Sequence, residues 1–134
     1  SADKRVELFN KLLNLGFYLP VIIAPSSIVS KRANIQDGTI IMNQTLINSD
    51  TYIGENCIIN NKALIEHDVS IGKNCHISTG AIVNGSAKIE DNCFIGSNAT
   101  IMQGIKIGSG SIVSAGSFVN KDLSKDSLFK NHER

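Results

Sequence analysis

Tryptophan is absent from this 134-residue sequence, and aromatic residues make up only 5% of it. The 42% of residues that are hydrophobic therefore supply an interior of aliphatic and small side chains. No apolar run reaches membrane-spanning length and no signal peptide is evident, so we expect no membrane partner. The formal net charge is +1 with no long run of one sign, so no nucleic-acid surface is predicted.

Cysteine occurs only three times, and an odd number does not form a disulfide framework. Cys57, Cys75 and Cys93 are spaced eighteen residues apart, where we expect them inside the fold as small apolar side chains. Crosslinking of stacked neighbours under oxidation is the less favoured alternative. Free cysteines are typical of a reducing compartment, so a cytoplasmic location is predicted.

The dominant feature of the sequence is an aliphatic residue at every sixth position. Ile or Val occupies all seventeen of positions 23, 29, 35, 41, 47, 53, 59, 65, 71, 77, 83, 89, 95, 101, 107, 113 and 119. Asn56, Asn74 and Asn92 recur at eighteen residues, so each lies above its copy if one coil takes eighteen residues. Three strands per coil then form a three-sided prism with Gly and Asn at its corners. The sequence predicts an all-β fold, a parallel β-helix of five to six coils, roughly 27 Å long at ~4.8 Å per coil.

The repeat divides the chain into three parts. Residues 1–22 are predicted to contain a helix at 3–15, which covers the open end of the first coil, and an extended linker. Residues 23–122 form the β-helix, and residues 123–134 form a polar tail. Ser1 at the start indicates a fragment or a processed chain.

The unbroken repeat leaves no room for a long loop that could wall a site. A site must therefore use the faces and ends of the prism itself. A cleft between two prisms arises naturally if three of them pack around a three-fold axis. We therefore expect a homotrimer.

Histidine provides the candidate catalytic groups, because the sequence has no dinucleotide-binding GxGxxG, no Walker loop and no CxxC. His67 lies between Glu66 and Asp68, whose carboxylates stabilise an imidazolium and allow the ring to act as a general base. A surface histidine in a charged patch is the alternative. His76 follows nine residues later, half a coil on, so the two rings can meet only across a subunit contact. By itself, His76 is also consistent with a corner residue bonded to backbone, and His132 is expected to be a solvated residue of the tail.

A metal site is not predicted. The zinc site of prism-shaped carbonic anhydrases needs three histidines, and only two of the histidines of this chain fall within the repeat.

The run from Asn60 to Leu123 contains ALIEHDVSIGKNCHIS and IMQGIKIGSGSIVSAGSFVNKDL. It resembles the acetyltransferases of bacterial sugar biosynthesis, which include sialic-acid O-acetyltransferases and the N-acetyltransferases of bacillosamine and perosamine synthesis. The resemblance implies a left-handed β-helix, a homotrimer with sites between subunits, and acetyl-CoA as co-substrate.

The resemblance also implies roles for individual residues. His67 corresponds to the catalytic base and Asp68 to the acidic neighbour that orients it. His76 corresponds to the histidine that contacts the acetyl group, and Gly85 to the glycine whose backbone faces the cofactor near the thioester. Four further positions are expected along the pantetheine arm of the cofactor: Ser78, Gly104, Ala115 and Gly116.

The activity implied is transfer of acetyl to the amino group of a nucleotide-linked amino sugar, with no nucleic-acid partner. O-acetylation of a sialic acid or another sugar hydroxyl is the alternative reaction, and a non-catalytic trimeric scaffold is the alternative class. The sequence departs from the family pattern at Ser86, where a second glycine is common, at Gln103, where proline is common, and at residues 129–132, which replace Gly-Asn-Pro-Ala. Relatives usually carry an N-terminal α/β domain that binds the nucleotide sugar, and only something like its exit helix is present here, so acceptor specificity is expected to reside outside this chain.

Overall fold

The computed structural model describes residues 2–131, and that part of the chain holds one α-helix and eighteen strands of two residues each. Helix α1 spans Ala2–Asn14. The strands are β1 (Ile22–Ile23), β2 (Ile28–Val29), β3 (Asn34–Ile35), β4 (Ile40–Ile41), β5 (Leu46–Ile47), β6 (Tyr52–Ile53), β7 (Ile58–Ile59), β8 (Leu64–Ile65), β9 (Ser70–Ile71), β10 (His76–Ile77), β11 (Ile82–Val83), β12 (Lys88–Ile89), β13 (Phe94–Ile95), β14 (Thr100–Ile101), β15 (Lys106–Ile107), β16 (Ile112–Val113), β17 (Phe118–Val119) and β18 (Leu128–Phe129).

The strands form three parallel sheets that are the three walls of a prism. Sheet A has the order β1-β4-β7-β10-β13-β16-β18, sheet B has β2-β5-β8-β11-β14-β17, and sheet C has β3-β6-β9-β12-β15. Paired residues from β1 to β17 are eighteen apart, as in Ile22 opposite Ile40. The predicted three-sided parallel β-helix is therefore confirmed. From β1 to β17, successive strands belong to sheets A, B and C in turn. The turn from a strand of sheet A to the next strand, in sheet B, lies at the A–B corner, and the B–C and C–A corners are named in the same way.

The second residue of each strand faces the axis of the prism. From Ile41 to Val119 these Ile and Val side chains are no more than 1% exposed, and they form one continuous column. The corners take left-handed backbone, with φ of 56°, 61° and 62° at Asn56, Asn74 and Asn92. The aliphatic residue at every sixth position is therefore the one that fills the interior. The asparagines occupy turns with left-handed backbone, which is unfavourable for most residues that have a Cβ.

The three cysteines are buried in the C–A corner and unbridged, as the sequence predicted for the interior. The thiol of Cys57 donates to the carbonyl oxygen of Gly72 at 3.0 Å, and that of Cys75 donates to Glu90 at 3.1 Å. Hydrogen bonds with the neighbouring thiols, together with burial, raise the pKa of Cys75. The thiols therefore connect successive coils through hydrogen bonds to backbone oxygens.

Helix α1 starts and ends within one residue of the prediction, but its expected position over the open end of the first coil is wrong. It lies along the side of the prism at the C–A corner, where Phe9 is 8% exposed and its ring leaves no room for a Cβ at Gly38. The guanidinium of Arg5 donates to the backbone oxygen of Asn56. Ile23, in the first coil, remains 47% exposed. The outward side chains of sheet A are largely apolar. The apolar residues of the helix, Leu8, Phe9 and Leu12, pack against them from the side.

Parallel pairing continues beyond the boundary that the sequence predicts at residue 122. Leu123 forms a bridge with Ile107, and Leu128 pairs with Ile112, an offset of sixteen residues. The last coil is two residues short, so it leaves the eighteen-residue register without leaving the fold. Ser1 and His132, for which a fragment start and a solvated ring were expected, lie outside the described residues.

Residues 2–131 contain no helix whose length and apolar character would let it cross a membrane.

Candidate functional site

His67 lies at the B–C corner, in the turn between β8 and β9. Its Nδ1 is 2.9 Å from Oδ2 of Asp68, and the two side chains are 54% and 57% exposed. Asp68 has a φ of 59°, and its N–H donates to the oxygen of Ser49 at 3.0 Å, which fixes the carboxylate at the corner. Because a carboxylate only accepts, Nδ1 of His67 must donate, and Nε2 of the neutral ring is left as an acceptor. This arrangement suits a general base.

Gly85 stands one coil above His67 at the same corner. A Cβ at this position would lie 2.7 Å from Nε2 of His67 and 2.8 Å from its Cε1, so the ring occupies the space that a side chain would need. The N–H of Ser86 donates to the oxygen of His67 at 3.0 Å, and the N–H of Gly104 donates to Gly85 at 3.0 Å. The absence of a side chain at Gly85 therefore allows the imidazole to lie against the prism.

Gly104, a predicted cofactor contact, and Ser86, a departure from the family pattern, lie at this corner in different surroundings. Gly104 has a φ of +73° and no atom within 4 Å of the position of its Cβ, so it leaves an open surface above the histidine. Ser86, where the resemblance led us to expect a second glycine, adopts a φ of 62°. The left-handed turn is thus retained with a residue that pays a conformational cost of about 1 kcal/mol.

His76 is the first residue of β10 and projects from the outer face of sheet A, so its predicted place at a corner is wrong. The first residue of each two-residue strand points outward, because the second points to the axis. The ring meets Phe94 edge to face, with centroids 5.3 Å apart and planes at 86°. Its Nε2 is 3.2 Å from Nδ2 of Asn60. Burial, and secondarily the positive charge of Arg5, lower the pKa of His76.

A groove of about 720 Å³ runs beside His76, between helix α1 and sheet A. Arg5 and Leu8 of the helix line one wall, and Phe94 and Ile112 of the sheet line the other. The groove is long and largely apolar with cationic groups at its rim. Such a surface suits a flexible chain that carries a few polar atoms.

The remaining candidates lie at the A–B corner. Oγ of Ser78 is 3.0 Å from Oγ of Ser97, and the N–H of Gly116 donates to the oxygen of Ser97 at 2.8 Å. The backbone of Ala115 packs so closely on Gly96 that a Cβ at Gly96 would overlap it. Ser78, Ala115 and Gly116 therefore form one edge of the prism.

The predicted residues thus fall into two separate groups in one chain. His67, Asp68, Gly85 and Gly104 share the B–C corner. The second group is on sheet A and the A–B corner and contains His76, Ser78, Ala115 and Gly116. Sheet B separates the two groups, as expected from the half-coil offset between the histidines.

Sequence reasoning did not single out Asn60 and Arg5, both of which act on His76. Asn60 precedes His76 by sixteen residues, close to one coil, so the eighteen-residue register contained a signal for that contact. Arg5 approaches from the helix, whose lateral position no repeat could indicate. Among residues 2–131, no three His, Cys, Asp or Glu side chains are grouped so as to hold a metal ion.

Two family models match the repeat region. "Bacterial transferase hexapeptide (six repeats)" matches residues 32–67 and 50–85, and "Hexapeptide repeat of succinyl-transferase" matches residues 87–121. Together they cover more than half of the chain. No curated protein matches the sequence.

Several solved structures share this fold closely. A mutant of perosamine N-acetyltransferase from Caulobacter crescentus, in complex with CoA and GDP-perosamine, is 32% identical, with a TM-score of 0.91 over 92% of this chain and 59% of that one. The acetyltransferase domain of PglB from Neisseria gonorrhoeae, in complex with acetyl coenzyme A, is 30% identical, with a TM-score of 0.92 over 93% of this chain and 61% of that one. WeeI from Acinetobacter baumannii is 26% identical, with a TM-score of 0.88 over 92% of this chain and 61% of that one.

These similarities confirm the resemblance to sugar acetyltransferases and the left-handed β-helix that it implied. The chain spans about three fifths of the length of these proteins, with coverage of 59% to 61%.

Proposed function

Because the chain belongs to the bacterial hexapeptide-repeat transferases, we propose that it transfers an acetyl group from acetyl-CoA to the amino group of a nucleotide-linked amino sugar. The observation that carries the proposal is His67, held by Asp68 at Nδ1 and seated against Gly85. Two of the similar structures hold CoA with GDP-perosamine, or acetyl coenzyme A. The three unbridged cysteines support a cytoplasmic setting for the reaction.

We propose that the chain works as a homotrimer, and the chemistry of its three walls supports this. Sheets A and B present mostly apolar side chains outward, whereas sheet C presents mostly polar ones. The outward residues are Ile22, Ile40, Ile58, His76, Phe94, Ile112 and Leu128 on sheet A; Ile28, Leu46, Leu64, Ile82, Thr100 and Phe118 on sheet B; and Asn34, Tyr52, Ser70, Lys88 and Lys106 on sheet C. Three prisms that point their A–B corners at one axis shield sheet B and the part of sheet A that helix α1 leaves uncovered, and leave sheet C in solvent.

Such a trimer joins the two groups of site residues. A cleft forms between sheet B of one subunit and sheet A of the next, and its mouth is flanked by the B–C corner of the first. His67 of one subunit then faces His76 of its neighbour. The groove beside His76 becomes one wall of that cleft. The pantetheine arm of the cofactor is expected to enter there, near Gly104 of the first subunit, while Ser78, Ala115 and Gly116 are expected to contact it at the inner end of the cleft, near the axis.

The chemistry is a direct transfer. Nε2 of His67 accepts a proton from the acceptor amine as its nitrogen attacks the carbonyl carbon of the thioester. The oxyanion of the tetrahedral intermediate is stabilised by His76 or by a backbone N–H. The C–S bond then breaks, and the CoA thiolate takes the proton from the His67 imidazolium.

An acceptor screen with acetyl-CoA tests the activity. We expect thiol release with amino sugars, both free and nucleotide-linked such as GDP-perosamine, because selectivity for the nucleotide is expected to reside outside this chain. Release should be much slower with sialic acid or neutral sugars. Release with sialic acid but not with amino sugars would replace N-acetylation by O-acetylation. If no acceptor releases thiol and calorimetry detects no acetyl-CoA binding, the chain is a scaffold.

Mixed trimers test whether the site is shared. We expect His67→Ala and His76→Ala to be nearly inactive alone, and an equal mixture refolded together to recover about one quarter of wild-type turnover, because one site in four then has both histidines. A mixture of His67→Ala with Gly85→Ala is the matched control. Both lesions lie at the same corner, so no site is restored. Recovery equal to the average of the two single variants would exclude a shared site.

A further inference from the structure

The amide of Asn60 has a fixed orientation. Its Oδ1 accepts the backbone N–H of Asn61 at 2.7 Å, and an amide NH₂ in that place could not accept. The NH₂ group of Asn60 therefore faces His76, at 3.2 Å from Nε2. Because an NH₂ group donates and does not accept, Nε2 of His76 must carry the lone pair. The single proton of the neutral ring is then on Nδ1.

The surroundings of His76 favour that neutral ring. The ring is half-buried, and the edge-to-face contact with Phe94 packs one side of it. Arg5 and Lys4 of α1 are the charged groups that line the same groove, and among the described residues that line it none is Asp or Glu. Burial first, and Arg5 second, lower the pKa of His76. A protonated ring would also set an Nε2–H against the NH₂ donor of Asn60.

His67 and His76 thus have opposite available atoms. His67 has a carboxylate on Nδ1 and leaves Nε2 as an acceptor. His76 has an amide donor on Nε2 and leaves Nδ1–H as a donor. The two rings differ because Asp68 only accepts, whereas the NH₂ group of Asn60 only donates.

We propose that Asn60 is a positioning residue that holds His76 as a neutral Nδ1–H tautomer, so that His76 serves acetyl transfer as a hydrogen-bond donor to the thioester oxygen and not as a base. This role rests on the proposed function, since the carbonyl oxygen that becomes an oxyanion is what the Nδ1–H would stabilise. A donor fixed before the reaction needs no reorganisation as charge develops. The Nδ1–H of a neutral His76 also remains a donor in the pH range in which the base, His67, must be deprotonated.

Nitrogen NMR of the histidine rings in the full chain tests the tautomer directly, because protonated and unprotonated ring nitrogens differ widely in ¹⁵N shift. We expect the wild-type His76 to show a protonated Nδ1 and an unprotonated Nε2 at neutral pH. Asn60→Asp replaces the donor with a carboxylate, which accepts from Nε2–H and favours the imidazolium. We therefore expect that variant to show both nitrogens protonated at neutral pH, with titration moved to higher pH.

Kinetics provide the second readout. Asn60→Ala is expected to lower kcat by roughly tenfold, less than the loss of a whole oxyanion donor, with little change in acetyl-CoA affinity. Asn61→Ala is the matched control. It keeps the backbone N–H that orients Asn60 and removes only a side chain that accepts from the N–H of Asn43 at 3.0 Å. It should leave both the ¹⁵N pattern and kcat unchanged.

The two proposals fail in different ways. A protonated Nε2 on the neutral His76 of an active enzyme overturns the role of Asn60 and leaves acetyl transfer standing. An Nδ1–H tautomer in a chain that transfers no acetyl group to any acceptor overturns the function and, with it, the catalytic use of the donor. If Asn60→Ala keeps full kcat, Asn60 does not position His76 for the reaction.

Discussion

His67→Ala is expected to lower kcat by about 10²–10⁴-fold, the range that general-base assistance supplies. Nε2 of this ring is the acceptor that Asp68 leaves available. Without it, the amine of the proposed reaction must lose its proton to water. The side chain is 54% exposed at a corner, so its loss should leave folding intact. Steady-state assays of thiol release, with acetyl-CoA and acceptor both saturating, measure the change in kcat.

Two measurements separate catalysis from structure in that variant. The proposed trimer should sediment as it does in the wild type, and acetyl-CoA should bind with unchanged affinity, because His67 contributes no packing to the prism interior. Asp68→Ala retains the base but loses the 2.9 Å contact that orients it, so a smaller fall in kcat is expected. Wild-type turnover by His67→Ala would remove the catalytic assignment.

The fold could be predicted because single residue types recur at fixed intervals that match its geometry. An Ile or Val at every sixth position can be buried only if the chain turns after each pair of strand residues, and an eighteen-residue recurrence of Asn fixes three turns per coil. The same arithmetic placed His67 and His76 on different sides of the prism. Counting alone did not place His76 correctly within its repeat, because it is the first residue of a strand and not a corner residue.

The position of the helix, the last coil and the hydrogen bond to His76 could not be predicted, because they depend on contacts that do not follow the repeat. The helix packs on sheet A because Ile22 and Ile40 are apolar on their outer side, a lateral choice that the repeat does not encode. The last coil is two residues short, so Leu128 fell outside the register although it pairs with Ile112. The donor on His76 depends on the N–H of Asn61 orienting the neighbouring amide, a local effect that is invisible in spacing.

Gly85→Ala should cost roughly 10²-fold in kcat, the penalty of displacing a reacting group by about 1 Å. The added Cβ would stand 2.7 Å from Nε2 of His67 and 3.3 Å from its Cδ2, whereas ordinary contacts need about 3.4 Å or more. The imidazole must therefore swing off the corner and away from the acceptor. The backbone at Gly85 is not left-handed, so alanine is tolerated there and stability should change little. Steady-state kcat and chemical unfolding measure the two effects.

A double-mutant cycle decides whether the glycine acts through the histidine. If its role is to seat His67, Gly85→Ala should have no further effect in a His67→Ala background, since the ring that it displaces is gone. Gln103 lies at the B–C corner, one coil beyond Gly85. Gln103→Ala controls for a general disturbance of that corner and should retain wild-type kcat. An equal loss in both backgrounds would instead mean that Gly85 acts independently, through its own contact with the cofactor. The cycle therefore separates a glycine that seats the base from a glycine that faces the thioester.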